Sequence, residues 1–221
     1  MIKCVIFDLD DTLYNERTYV ECAMLNVSGY FHQKYGLDTD NVYAELMCIL
    51  DKSGRGKVFD EFMAKHDIDE DVMNIVSVYR DTRPSLELYD DARDIIDELR
   101  SRNILLGIIT DGCSQVQHNK VSGLNIWEIF DDIVITDDYD NAAKPSTVPY
   151  KMILEKHKNI NASECIYIGD NPNKDFVGAK ELGMATARII RNVGQHMNTQ
   201  VSADLEADIS IHSLLEILMY L

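Results

Sequence analysis

Asp8, Asp10 and Thr12 are spaced two residues apart, just where the first apolar run of the chain gives out. That run, Ile2-Lys3-Cys4-Val5-Ile6-Phe7, reads as a short buried strand, and Asp8 stands at its carboxyl end. Two carboxylates and a hydroxyl at such a point are suited to holding a divalent cation and attacking phosphorus. Asp also opens ordinary turns, so an unremarkable strand exit would use the same residue. The partners further along the chain separate the two readings.

A second apolar run, residues 104–109, ends in Thr110-Asp111-Gly112. A third, 164–168, ends in Gly169-Asp170-Asn171-Pro172-Asn173-Lys174-Asp175, and Lys144-Pro145 lies between them ahead of a helical stretch. Open parallel α/β sheets bind ligands outside the carboxyl ends of their strands. In this chain the runs are almost wholly apolar, and the chemically capable residues collect at their ends. One such site is a turn; four in this order are hard to explain as turns.

With these residues in place, the chain resembles the haloacid dehalogenase superfamily of hydrolases, in the phosphatase branch with a helical cap. The first motif is Asp8 to Thr12, the second Thr110, the third Lys144, and the fourth Gly169-Asp170 through Asp175. The resemblance covers nearly the whole chain and implies a magnesium-dependent phosphatase acting on a small phosphorylated metabolite through an aspartyl-phosphate. Asp8 would be the nucleophile. Asp8 and Asp170 would ligate Mg2+ by side chain, and the resemblance adds the backbone carbonyl of Asp10 to the metal set. Asp10 would then protonate the leaving alkoxide and later take a proton from the attacking water.

Thr110 would offer its hydroxyl to the phosphate, with Asp111, Gly112 and the helix start after them as further contacts. Lys144 would supply a point charge to phosphate and nucleophile. Asp175 and Asn171 are expected in support, Asp175 steadying Lys144 or the water around the metal. A site this acidic cannot bind a phosphate dianion unaided, and oxygen-only ligands favour magnesium over zinc. Uncatalysed hydrolysis of phosphate monoesters is slow enough that the site must supply on the order of 20 kcal/mol of barrier reduction. A phosphomutase would keep both motif-one aspartates, so it is the enzymatic alternative. A phosphate-binding protein without activity would be expected to lose a motif residue, and none is lost. A receiver domain would be much shorter.

The elements that must position these residues follow from periodicity. Residues 1–13 and 86–221 form a Rossmann-like α/β core, interrupted by a helical-bundle cap over 14–85. Within the cap, apolar residues recur at helical spacing in four stretches around positions 20–31, 42–50, 58–66 and 72–79. Ser53-Gly54-Arg55-Gly56-Lys57 has a phosphate-loop flavour but lacks GxxxxGK[ST] and a preceding strand. It reads as a cap loop, with Arg55 and Lys57 as cations that could meet an anionic substrate. After residue 90 strands and helices alternate, with an α-helix expected over about 175–182 and another from Ser213. Residues 192–207 read only as a polar loop.

The formal net charge of −17 over 221 residues excludes nucleic acid as a partner, since phosphate backbones demand basic surface. Five cysteines without CxxC spacing, and six histidines without metal spacing, give neither a disulfide framework nor a zinc site. No run reaches transmembrane length and no signal-peptide pattern opens the chain, so a cytoplasmic place is expected. Monomer and homodimer both stay open.

Overall fold

The computed structural model describes all residues, 1–221. The chain divides into two compact units, one of Met1–Glu16 with Ser85–Leu221 and one of Arg17–Pro84. No helix is long and apolar enough to cross a membrane.

The larger unit is built on a six-stranded sheet. Its strands are β1 (Cys4–Phe7), β2 (Leu105–Thr110), β3 (Asp132–Ile135), β4 (Cys165–Gly169), β5 (Ala185–Ile189) and β6 (Ile209–Ile211). Every neighbouring pair is parallel, and the order is β3-β2-β1-β4-β5-β6. The three central strands β1, β2 and β4 are buried almost throughout, as expected of parallel strands covered on both faces. The chain winds from β1 outward to β3, then returns beside β1 to begin β4 and winds the other way. The order therefore reverses between β1 and β4, and such a reversal opens a crevice at the carboxyl ends. Phe7 pairs with Ile168 on one side and Ile108 on the other, so the residues after these strands emerge at one level.

Helices α5 (Asp90–Ser101), α6 (Ser114–Gly123), α7 (Val148–Lys156) and α8 (Val177–Glu181) accompany the sheet. Helix α5 buries Ala92, Ile95, Ile96 and Leu99, one stripe at helical spacing. Pro149 occupies the first turn of α7, where a missing N–H is harmless. Gly178 on α8 lies so close to the preceding loop that a Cβ there would fall 2.6 Å from the Pro145 carbonyl oxygen and 2.7 Å from that of Ser146.

Two elements differ from expectation. Helix α8 starts only at Val177, because residues 171–175 form a turn closed by the Asn171 N–H donating to Asp175 Oδ2. The closing segment Leu214–Tyr220 is a 3-10 helix, begun by a capping box between Ser213 and Glu216.

The smaller unit contains α1 from Arg17 onward (the whole helix is Glu16–Tyr35), α2 (Thr39–Ser53), α3 (Val58–Lys65) and α4 (Val72–Arg80). Its core gathers Val20, Met24, Val27 and Phe31 against Leu46, Phe62 and Ile75. Asp38 and Asp71 cap α2 and α4, each accepting a backbone N–H in the first turn. The expected break at 53–57 is a Gly54 C-cap in the positive-φ region followed by a 3-10 turn, Arg55–Lys57.

The first unit boundary falls three residues later than the expected 13/14, and the second one residue earlier than the expected 85/86. Tyr14 is fully buried and bonds to Asp10, and the Glu16 N–H donates to Asp11, so 14–16 belong to the sheet unit.

Candidate active site

Asp8 leaves β1 and Asp170 leaves β4 on either side of the point where strand order reverses. The Asp8 N–H donates to the Ile168 carbonyl at 2.7 Å, which ties the two exits together. Asp8, Asp170 and Asp175 are all buried, and one carboxylate oxygen from each lies within 4.8 Å of the others. Burial pushes Asp8 up to about 7, with Asp175 adding to the rise and Lys144 opposing it. Burial, then repulsion from Asp8 and Asp175, carries Asp170 up to about 9. Three clustered carboxylates are costly to keep ionised without a cation.

Lys144 is the one cation among them. Its side chain is wholly buried, with Nζ 2.6 Å from Asp8 Oδ1 and 2.8 Å from Asp175 Oδ1. Nζ also donates to the Tyr167 hydroxyl at 2.9 Å and to the Ile109 carbonyl at 3.3 Å. Burial alone would lower its pKa, but Asp175 and Asp8 overcome that and hold it well above the ordinary lysine value. Asp170 Oδ2 and Asp175 Oδ1 are buried carboxylate oxygens with no hydrogen-bond partner, and of the two only Asp175 Oδ1 lies against the Lys144 ammonium. An all-oxygen donor set with such an orphan fits a hard divalent cation of the Mg2+ type.

Asp10 turns elsewhere. Tyr14, Gln117 and Lys120 all donate to its carboxylate, so its side chain is not part of the cation cluster. Thr110 is fully buried at the end of β2, and its Oγ1 accepts from Gln117 Nε2, which leaves the hydroxyl proton to donate. The Asp111 carboxylate, expected to face substrate, instead accepts from Thr136 Oγ1, the Lys144 N–H and Lys174 Nζ. It anchors the loop that carries Lys144. The first amide of α6, expected to serve a phosphate, is likewise taken: the Ser114 N–H donates to Asp137 at 2.8 Å.

Gly112 adopts a φ of 131°, a backbone that side chains disfavour. Asn171 is buried; its Oδ1 accepts from Asn173, and its Nδ2 bonds to His196 at 3.1 Å. Arg55 and Lys57 lie in the helical unit, exposed on the 3-10 turn.

A family model described as haloacid dehalogenase-like hydrolase matches residues 5–189. The chain belongs to that family. A glyceraldehyde 3-phosphate phosphatase of Methanocaldococcus jannaschii is 34% identical, covering 98% of this chain and 96% of the relative. A glyceraldehyde 3-phosphate phosphatase of Pyrococcus abyssi is 32% identical over 84% and 80%. Among solved structures, a phosphatase of the family from Thermococcus onnurineus superposes with a TM-score of 0.63 at 25% identity, covering 99% and 97%. The hydrolase YfnB of Bacillus subtilis, solved bound to magnesium, shares the fold with a TM-score of 0.73 at 19% identity over 99% and 98%.

The haloacid dehalogenase-like motifs alone do not mark Tyr14, Gln117, Lys120, Tyr167, Lys174 and His196. For two of them a signal exists. Positions 117, 120, 121 and 124 form one inward helical face, and two of the four are polar. A glutamine and a lysine where apolar residues belong mark a helix aimed at something charged.

Proposed function

We propose that this chain hydrolyses a small phosphate monoester by way of an aspartyl-phosphate on Asp8, with Mg2+ as cofactor and a three-carbon sugar phosphate such as glyceraldehyde 3-phosphate as substrate. The observation that carries the reading is the buried group of Asp8, Asp170 and Lys144 at the reversal of strand order. The substrate class rests on the named relatives.

Asp8 and Asp170, with the backbone carbonyl of Asp10, would hold the Mg2+. Bound there, the ion supplies the positive charge that lets an anionic nucleophile meet a phosphate dianion. The remaining steps fall to the chain's own residues. A carboxylate oxygen of Asp8 bonds to phosphorus while the ester P–O bond breaks, and Asp10 hands a proton to the departing oxygen. Water then attacks the same phosphorus, its proton passes to Asp10, and the bond to Asp8 breaks to restore the carboxylate. Lys144 neutralises charge on Asp8 and on the phosphoryl oxygens, and Thr110 donates its hydroxyl to one of them. Asp175, Asn171 and Asp111 position this set.

The test is phosphate release from a panel containing glyceraldehyde 3-phosphate, other sugar phosphates, nucleoside monophosphates and p-nitrophenyl phosphate, with and without Mg2+. Trapping of radiolabelled phosphate on Asp8 is the expected companion result. Release from none of these esters, with folded protein and Mg2+ present, would defeat the reading.

A further inference from the structure

Lys120 is a charged residue almost closed to water, and the chemistry above gives it no part. Its side chain is 3% exposed on the inward face of α6. An ammonium in such a place is strongly destabilising unless partners surround it. The partners are two carboxylates. Nζ lies 2.8 Å from each oxygen of Asp10 and 3.1 Å from Glu16 Oε1.

Two more donors complete the arrangement. The Tyr14 hydroxyl donates to Asp10 Oδ1 at 2.7 Å, and Gln117 Nε2 donates to Oδ2 at 3.1 Å. Each Asp10 oxygen therefore accepts two hydrogen bonds. That pattern matches the ionised carboxylate, the form Asp10 takes once its proton has gone to the leaving oxygen; a protonated acid would have to donate from one oxygen. It also fixes the plane of the group, because rotation about the last side-chain bond would break contacts on both oxygens. Gln117 reaches Thr110 Oγ1 as well, so the phosphate-binding hydroxyl and the Asp10 carboxylate are registered against one amide. A Cβ at Gly112 would stand 3.3 Å from Gln117 Cδ, tight enough that glycine there leaves the amide its room.

We propose that Lys120 is a positioning residue, holding the Asp10 carboxylate in the orientation that takes a proton from the attacking water during hydrolysis of the phosphoenzyme. The inference rests on the aspartyl-phosphate reading above. In that half-reaction the water oxygen bonds to phosphorus, one water proton moves to Asp10, and the electron pair of the breaking P–O bond returns to Asp8. Lys120 touches none of the reacting atoms. Misplacement of a reacting group by about 1 Å costs on the order of 100-fold in rate, so a loosened carboxylate has a measurable signature.

The experiment uses 2,4-dinitrophenyl phosphate, whose leaving group departs without a proton, so that kcat/KM reports formation of the phosphoenzyme alone. Lys120→Met is expected to lower kcat about 10- to 100-fold while kcat/KM stays within about threefold. A burst of one dinitrophenolate per active site should then precede the slow steady state. Lys120→Arg should recover part of kcat, and Lys120→Met placed on Asp10→Asn should cost nothing further. Equal losses in kcat and kcat/KM, or no loss in either, would overturn the assignment. Where Lys120→Met does not accumulate as folded protein, Lys120→Gln is expected to give the same split at smaller size. Wild-type protein that forms no phosphoenzyme from this ester would fail the underlying reading instead, so the two failures are distinguishable.

Discussion

Each unit buries acidic groups, and each treats them in the opposite way. In the helical unit the Glu70 side chain is 3% exposed and accepts from Tyr30, Lys34, Tyr35 and Asn74, so its charge is answered on every side. In the sheet unit Asp8, Asp170 and Asp175 cluster, one lysine pairs with Asp8 and Asp175, and an oxygen of Asp170 is left over. Like charges crowded without enough partners destabilise a fold. The Glu70 charge, fully answered, holds structure together. A charge left in deficit is kept for something that binds, and the fold gives up stability to keep it.

The sharpest way to break this contrast is Asp8→Asn. The amide keeps the shape but cannot attack phosphorus, so turnover should fall by at least about four orders of magnitude, the scale seen when a covalent nucleophile is lost. Circular dichroism should show the fold intact; substantial turnover from folded Asp8→Asn would remove Asp8 from the role.

Next in size is the ion. A chelator should abolish phosphate release, and Mg2+ at about 100 times its dissociation constant should stabilise the protein by about 2.7 kcal/mol in a thermal melt. The same titration on Asp170→Asn should show no such stabilisation. Full activity after exhaustive chelation would sink the metal assignment.

Glu70→Ala tests the opposite side of the contrast. It strips four donors of their acceptor and should cost about 2 kcal/mol in urea denaturation, with kcat unaffected. The sign of its pH dependence follows from linkage. Burial raises the Glu70 pKa, but its donors, Lys34 first, win and bring it down to about 2. The stabilisation is therefore present above the unfolded value of about 4.3 and is lost as pH falls toward 2. Glu70→Gln should flatten that acid limb; an unchanged limb would show that the hub is not tuned for charge.

The smallest effect is the most pointed. Without metal, Asp170→Asn should make the protein more stable by about 1 kcal/mol while abolishing activity, because it removes a carboxyl that burial and its acidic neighbours keep from ionising. A loss of stability instead would mean that the carboxylate is structural after all.

Much of this was legible in the residues. Apolar runs ending in Asp8, Thr110 and Asp170 announce strands and their chemical ends, since buried parallel strands are apolar throughout. The four helical stretches were legible from spacing, because each buries one stripe. What escaped were long-range partners. Nothing local says that the Asp111 carboxylate turns toward Thr136, Lys144 and Lys174, or that Lys120 reaches back 110 residues to Asp10. Such pairings are set by which strand ends the sheet brings level, and strand order is not written in periodicity. The loop at 192–207 escaped for a related reason: it has no regular hydrogen-bond pattern, yet Gln195 donates to Asp11 and His196 meets Asn171.

Gly178 makes no contact that chemistry would notice, yet it acts as a gauge block. The carbonyls a methyl would strike there belong to Pro145 and Ser146, immediately after Lys144. Backbone cannot fold aside as a side-chain tip does, so any addition at 178 must shift the loop and carry the lysine's root with it. The reach of Lys144 toward Asp8 is thereby machined by an absence. Drift at this one position should be tolerated as poorly as drift in the lysine itself.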